Sequence, residues 1–456
     1  MTKLFLPPRV GAALIAAAVA LAPAGEASAQ ARSLSLIRDA ETEHIIRVLA
    51  TPVWQAAGLD PGAVAIHIVN DSMLNAFVAG GQHIFINTGL LERVATPRQL
   101  IGVIAHETGH IAGGHLARGE EAIRDAMSTA LLSLLLGAAA MVAGGGGAGQ
   151  AVVAGGQQLA ERSFLQFSRT QESQADQAAV GYLDQVGISS RGLVEFLKVL
   201  GDQEALLISR QDPYVRTHPI SRERIDALSA RVNASPYADK PTSPEQTAML
   251  RRVQGKLVGF LQPLGTTLQR YPESDTSAAA RYARAIAWYR VPQLDRALPL
   301  MDSLISEAPK DPYYLEMKAQ MLFENGRARE AIPLLEHAVT LAPQQPLLRY
   351  ALGQAQISTE DDTLVKPAIS NLEVAVRDDP SNASVWYQLA IAYGRDGNLG
   401  MAHLASAERA IRLGRFADAR QQAERARQKL PPGSAAGLRA EDILAAAERG
   451  MQSQRR

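Results

Sequence analysis

Apolar and polar positions along the chain alternate in several modes. From Leu34 to Leu49 the apolar residues fall at helical spacing, which predicts an amphipathic helix. Val64–Val69 (VAIHIV) and Gln82–Asn87 (QHIFIN) are short, β-branched and bounded by turn residues, as expected of strands in a small sheet with hairpin connections. Residues 88–94 turn helical. Thr96 as N-cap, Pro97 at the first helical position and Gln99 completing a capping box then predict a helix over Gln99–Leu116. Polar-faced helices follow at Glu161–Leu183, Arg191–Gln203 and Ser221–Val232, and Asn233–Pro244 has linker composition.

From Ser277 onward the pattern repeats with a period near 34 residues, the length of a tetratricopeptide repeat. Prolines end units at Pro309, Pro343 and Pro380. The second unit places Ala319, Gly326, Ala331 and Ala338 in the small-residue slots that let two helices cross closely. The third carries about three extra residues in its turn, and the fourth, marked by Trp386, Leu389 and Tyr393, runs directly into a last unit. No such unit buries its apolar face alone, so neighbours stack into a solenoid that offers a surface to other proteins. The expected fold is an α+β domain, mostly helical with a small β-sheet, followed by an all-α repeat solenoid.

Two stretches break these patterns. Lys3 and Arg9 precede an apolar run, Val10–Ala22, which ends at a Pro/Gly break and Ala27-Ser28-Ala29, the layout of a cleavable secretory signal over residues 1–29. Residues 126–160 contain no charge; an apolar half precedes a glycine-rich half. This insert reads either as a plug or lid over a site or as a membrane-associating hairpin, and its apolar part is marginal for a full span. The expected divisions are a signal at 1–29, a first domain at 30–232, a linker and connecting helix at 233–276 and repeats at 277–445.

Composition narrows the setting. The 456 residues hold 46 basic and 46 acidic side chains, so the net charge gives no hint of nucleic-acid or membrane-surface binding. Cysteine is absent, which closes the lipoprotein route and rules out disulfides. An exported, cysteine-free chain fits a bacterial periplasm.

The chemistry lies in Ala105–Leu116, AHETGHIAGGHL. His106 and His110, four apart on a helix, share a face and can hold one zinc ion, with Glu107 beside them to move a proton. A catalytic zinc needs a third protein ligand. The metzincin pattern puts a histidine at position 116, where this chain has Leu116; His115 is one residue early and would need a sharp turn at Gly113-Gly114. The other candidate is Glu172, with Asp176 four residues on to hold the far nitrogen of a ligand histidine. Alone, E-x-x-x-D is a weak signal; coupled to the His106–His110 helix it makes Glu172 the better candidate. Arg222 and Arg224 could reach the site or make ordinary ion pairs.

On NAFVAGGQHIFINTGLL, AHETGHIAGGH, ESQAD, THPISRERI and the repeats, nearly the whole mature chain resembles the periplasmic gluzincin metallopeptidases with C-terminal tetratricopeptide repeats. This is the group of the β-barrel assembly-enhancing protease, related to HtpX- and Oma-type peptidases. The resemblance implies His106, His110 and Glu172 as ligands of one Zn²⁺ per chain, Glu107 as general base and acid, and His115 as a non-ligand. It implies that His218 approaches the metal, either as a latch or as a stabiliser of the oxyanion. It makes His83, Ile84, Phe85 and Ile86 an edge strand to which an extended substrate adds. Misassembled outer-membrane proteins become the expected substrates and the barrel-assembly machinery the docking partner. Two rivals stand beside this: a repeat scaffold or chaperone with an idle metal site, and an integral membrane protease with 126–160 as a hairpin span.

Overall fold

The computed structural model describes residues 35–142, 146–201, 214 and 218–454. The expected signal at 1–29 lies outside them.

The first helix starts later than its periodicity suggests. Leu36–Ile37 forms a short strand, β1, and α1 runs Ala40–Ala56. Asp39 decides the start, because its carboxylate accepts from the backbone N–H of Thr42 at 2.7 Å and caps the helix. Strands β2 (Ala65–Val69), β3 (Ala76–Ala79) and β4 (His83–Asn87) complete a four-stranded sheet in the order β1-β2-β4-β3. β3 and β4 form an antiparallel hairpin, while β2 and β4 pair in parallel. The expected edge strand is therefore not an edge. His83–Ile86 lies between two partners, with Ile84 and Ile86 buried, and the free edges are β1 and β3. Parallel pairing across the β3 excursion consumes the side of β4 that local sequence leaves open.

Helices α2 (Thr88–Arg93) and α3 (Pro97–Ala112) follow. The capping box does not form: Thr96 makes no side-chain cap, and Gln99 accepts from the N–H of Ala95, one residue before the N-cap, at 2.7 Å. α3 stops at Ala112, and α4 (His115–Val142) begins after Gly113-Gly114. α5 spans Gly146–Gln185, so the glycine-rich half of the insert begins a long helix. α6 (Arg191–Gly201) and α7 (Arg222–Asn233, capped by Ser221) close over α3 and α5.

The connecting segment is more than a linker. α8 (Pro244–Leu261) sends Leu250, Val253 and Leu257 into the same core as Trp54, Ile68, Ile101 and Leu197. After α9 (Leu264–Arg270) come the helical pairs α10 (Ala278–Arg290) with α11 (Leu294–Glu307), α12 (Pro312–Glu324) with α13 (Ala328–Leu341), and α14 (Pro346–Ile357) with α15 (Val365–Asp378). A 3₁₀ turn at Asp362–Leu364 absorbs the extra residues of the third unit. α16 (Ala383–Arg395) packs directly on α17 (Leu399–Arg412), followed by α18 (Phe416–Lys429) and α19 (Ala435–Gln454). Ala285, Ala297, Ala319, Ala331, Ala338, Ala368 and Ala375 are fully buried at the helix crossings, as their repeat slots require.

Candidate metal centre

α3 carries His106 and His110 on one buried face, and their Nε2 atoms stand 3.1 Å apart. α5 brings Glu172 against both. Its Oε2 lies 3.3 Å from His106 Nε2, and its Oε1 3.3 Å from His110 Nε2. The two helices meet at Gly109, where a Cβ would stand 2.9 Å from the carbonyl oxygen of Ala175, so only glycine permits the approach. A fourth group, His218, enters from the segment before α7, its ring stacked on Tyr214 at 4.5 Å. His218 Nδ1 is 3.2 Å from both Glu172 oxygens and 3.3 Å from His106 Nε2.

One ligand atom from each of His106, His110, Glu172 and His218 lies within 4.8 Å of the others, all four residues buried. Ligands spaced tetrahedrally around zinc at about 2.0–2.1 Å stand roughly 3.3 Å apart. The separations here match that figure. Two imidazole nitrogens facing each other at 3.1 Å cannot both carry protons, so a cation between them and the carboxylate satisfies the set. The residues fit a zinc ion.

Each histidine on α3 also has a partner behind it. Asp176 Oδ1 lies 2.9 Å from His106 Nδ1. Asp176 in turn accepts two bonds from Arg224, at 2.7 and 2.9 Å, and Arg224 reaches Glu172 at 2.8 Å. Behind His110 stands His115, its Nδ1 3.0 Å from His110 Nδ1. The glycine pair makes this possible. Gly114 adopts φ 63°, which turns the chain, and a Cβ on Gly113 would stand 2.5 Å from His115 Nε2. His115 thus sits on the far side of the His110 ring from the cluster, away from the third-ligand position. Sequence reasoning left Arg224 without a role; its spacing from a buried Asp-Glu pair could have been a signal, but only once α5 and α7 are known to touch.

Without a cation, burial and pairing set the protonation. Burial lowers the His106 pKa, but the carboxylates of Asp176 and Glu172 outweigh it and push it up to about 9. Burial drives His110 down to about 4, despite its contact with Glu172. Burial raises Glu172, yet His218, His106 and His110 together hold it well below the usual carboxylate range. Glu107 is fully buried, and burial raises it. Its two oxygens have no hydrogen-bond partner among the described residues, and Oε1 faces His218 Nε2 at 3.4 Å.

Residues 37–232 match the model of peptidase family M48. The chain therefore carries a metallopeptidase domain of family M48, with a buried cluster able to hold a metal ion. Among its relatives is the beta-barrel assembly-enhancing protease of Yersinia pestis, 23% identical over 358 residues, covering 77% of this chain and 72% of the relative. A putative beta-barrel assembly-enhancing protease of Vibrio cholerae is 27% identical over 342 residues, covering 73% and 68%. Metalloprotease LoiP of Escherichia coli (strain K12) is 29% identical over 204 residues, covering 44% of this chain and 76% of the relative.

Proposed function

We propose that the chain is a latent zinc endopeptidase of the bacterial periplasm, with His106, His110 and Glu172 as ligands. One observation carries the reading: two imidazoles and a carboxylate, each fixed from behind, converge at tetrahedral ligand spacing beside an unbonded buried glutamate. When bound, zinc supplies a Lewis acid that makes water acidic near neutral pH and polarises a carbonyl.

The chain's own residues do the rest. Glu107, its affinity for protons raised by burial, takes a proton from water and returns it to the leaving amine. Asp176 fixes the tautomer of His106, and Arg224 keeps Asp176 and Glu172 charged and in place. An extended substrate pairs with β3, the free sheet edge packed on α3. His218 fills the fourth place and faces Glu107, so it must move before a substrate carbonyl can enter. It acts as the latch.

The relatives are named as proteases that enhance β-barrel assembly, which supports β-barrel proteins as the substrate class. Misassembled outer-membrane proteins as substrates and docking of the repeats on the barrel-assembly machinery are part of the proposal. Digestion of casein or an unfolded outer-membrane protein tests the reading. Glu107→Gln should lose turnover by at least about a hundredfold while retaining zinc. His218→Ala should digest faster than wild type. Unchanged turnover in Glu107→Gln would remove the peptidase reading. Abolished digestion in His218→Ala, with zinc retained, would replace the latch by an oxyanion stabiliser.

A further inference from the structure

The helical hairpin of α4 and α5 is packed inside out for water. In a water-soluble helix pair, large apolar side chains meet between the helices and polar ones face outward. Here Met127, Leu131, Leu132, Leu134, Leu136 and Leu159 are each more than half exposed. At Ser133 and Gly156 the contact between the helices is made by small residues. Gly156 is buried against Ser133, so closely that a Cβ on Gly156 would overlap the Ser133 hydroxyl. In the sequence, Ala126, Ala130 and Gly137, which share the Ser133 side of the helix, are small as well, with Thr129 and Leu136 at its margin. Small residues between helices and large apolar ones outside is the arrangement of helices packed in lipid.

The distribution of the exposed residues argues for lipid over protein. At about 100° per residue, Leu131, Leu132, Leu134 and Leu136 spread over every side of α4 except the one facing α5. A protein-binding helix presents one stripe. Residues 126–160 carry no charge, while Arg124, Asp125, Glu161 and Arg162 flank the stretch. Among the described residues, α4 packs substantially only on α5 and the end of α3, so its uncharged arm stands off the body. Its uncharged arm from residue 126 to 142 rises about 25 Å. No described helix is long and apolar enough to cross a membrane. A hairpin enters and leaves by the same side, with the charged residues at its base stopping it at the headgroups.

We propose that the α4–α5 hairpin is a membrane-insertion element that seats the chain on a bilayer surface through hydrocarbon contact. The proposal stands apart from the peptidase reading. With no cation within residues 126–160, the inserting stretch itself needs no anionic lipid, and binding resists salt.

The test is flotation of the full chain, recovered from an exporting host and checked by mass for N-terminal processing, with vesicles of neutral phosphatidylcholine. Wild type should float at low and high salt alike. The triple variant Leu131→Ser, Leu132→Ser, Leu136→Ser should lose at least about tenfold of the bound fraction. A single variant, Leu132→Trp, guards against misfolding: its added emission over wild type should shift to the blue on adding vesicles and be quenched by brominated lipid. Wild type that stays with the unbound fraction, binding that salt abolishes, or an unshifted emission from the Leu132→Trp variant would overturn the proposal. So would a dimer that the triple variant dissociates in the absence of any flotation, since the hairpin would then cover a second copy of itself.

Discussion

At the scale of the residue, the site is a set of imidazoles and carboxylates each held from two sides. His106 is backed by Asp176, and His110 by His115. If His110 presents Nε2 to the cluster, its Nδ1 carries the proton, and His115 Nδ1 accepts it. His115→Ala should then leave the ligands in place but loosen zinc by about 10–100-fold, read by competition with a chromogenic chelator. An unchanged affinity would make His115 a packing residue only. The two α3 histidines and Glu107 were legible in sequence, because helical spacing alone puts His106 and His110 on one face. Glu172 was legible through its pairing with Asp176 and the family resemblance. The role of His115 was not, since it depends on the left-handed turn at Gly114. Arg224 was not, since its two partners lie on another helix, α5.

At the scale of the element, the site is assembled by close backbone approaches. Gly109 lets α3 lie on α5, and Gly102 lets it lie on α6, where a Cβ would stand 2.8 Å from the backbone nitrogen of Leu193. Gly109→Ala should push His106 and His110 away from Glu172. The expected result is weaker zinc binding and a loss of about 1–3 kcal/mol in stability, read by chelator competition and denaturant unfolding. Intact zinc affinity in that variant would mean the helices tolerate the shift. Helix positions were readable from apolar period and caps, and the extra turn of the third repeat from spacing alone. Strand order was not. VAIHIV and QHIFIN show that two strands exist, but nothing local says that β4 leaves its hairpin partner on one side to pair in parallel with β2 on the other. The reach of α5 into the glycine-rich stretch was also hidden, because helix propensity there is poor and close packing of small residues against α4 overrides it.

At the scale of the molecule, the peptidase domain and the repeats are joined by buried charge. Glu41 at the start of α1 is fully buried and meets Arg252 and Lys256 of α8 and the hydroxyl of Tyr282 in the first repeat helix. Arg252 continues to Asp311, and Lys256 lies 4.0 Å from Glu316, both in the second repeat. Gln345 donates to the carbonyl of Ala40, so the start of α1 sits against the solenoid. The expected linker composition at 233–244 hid this union, since the residues that make it are spread over four helices.

The union carries a pH signature. Burial raises Glu316 foremost, Lys256 pulls it back, and Asp39 and Glu41 raise it again, leaving it at about 7. A carboxyl that binds its proton more tightly when folded contributes stability that is full below its unfolded value near 4.5 and is lost as pH rises through about 7. Wild type should therefore lose on the order of 2 kcal/mol between pH 5 and 8 relative to Glu316→Gln, read as the difference in thermal unfolding across that range. Parallel pH profiles would show that Glu316 ionises alike in both states.

Bound zinc in purified wild type, Glu172→Gln and His115→Ala, measured by elemental analysis after dialysis against a weak chelator, tests the metal assignment on which the whole reading rests. Wild type should hold about one zinc per chain, His115→Ala should retain zinc but release it to a stronger chelator, and Glu172→Gln should lose it. Zinc kept by Glu172→Gln and lost from His115→Ala would contradict the assignment and move the third ligand to His115, at the start of α4.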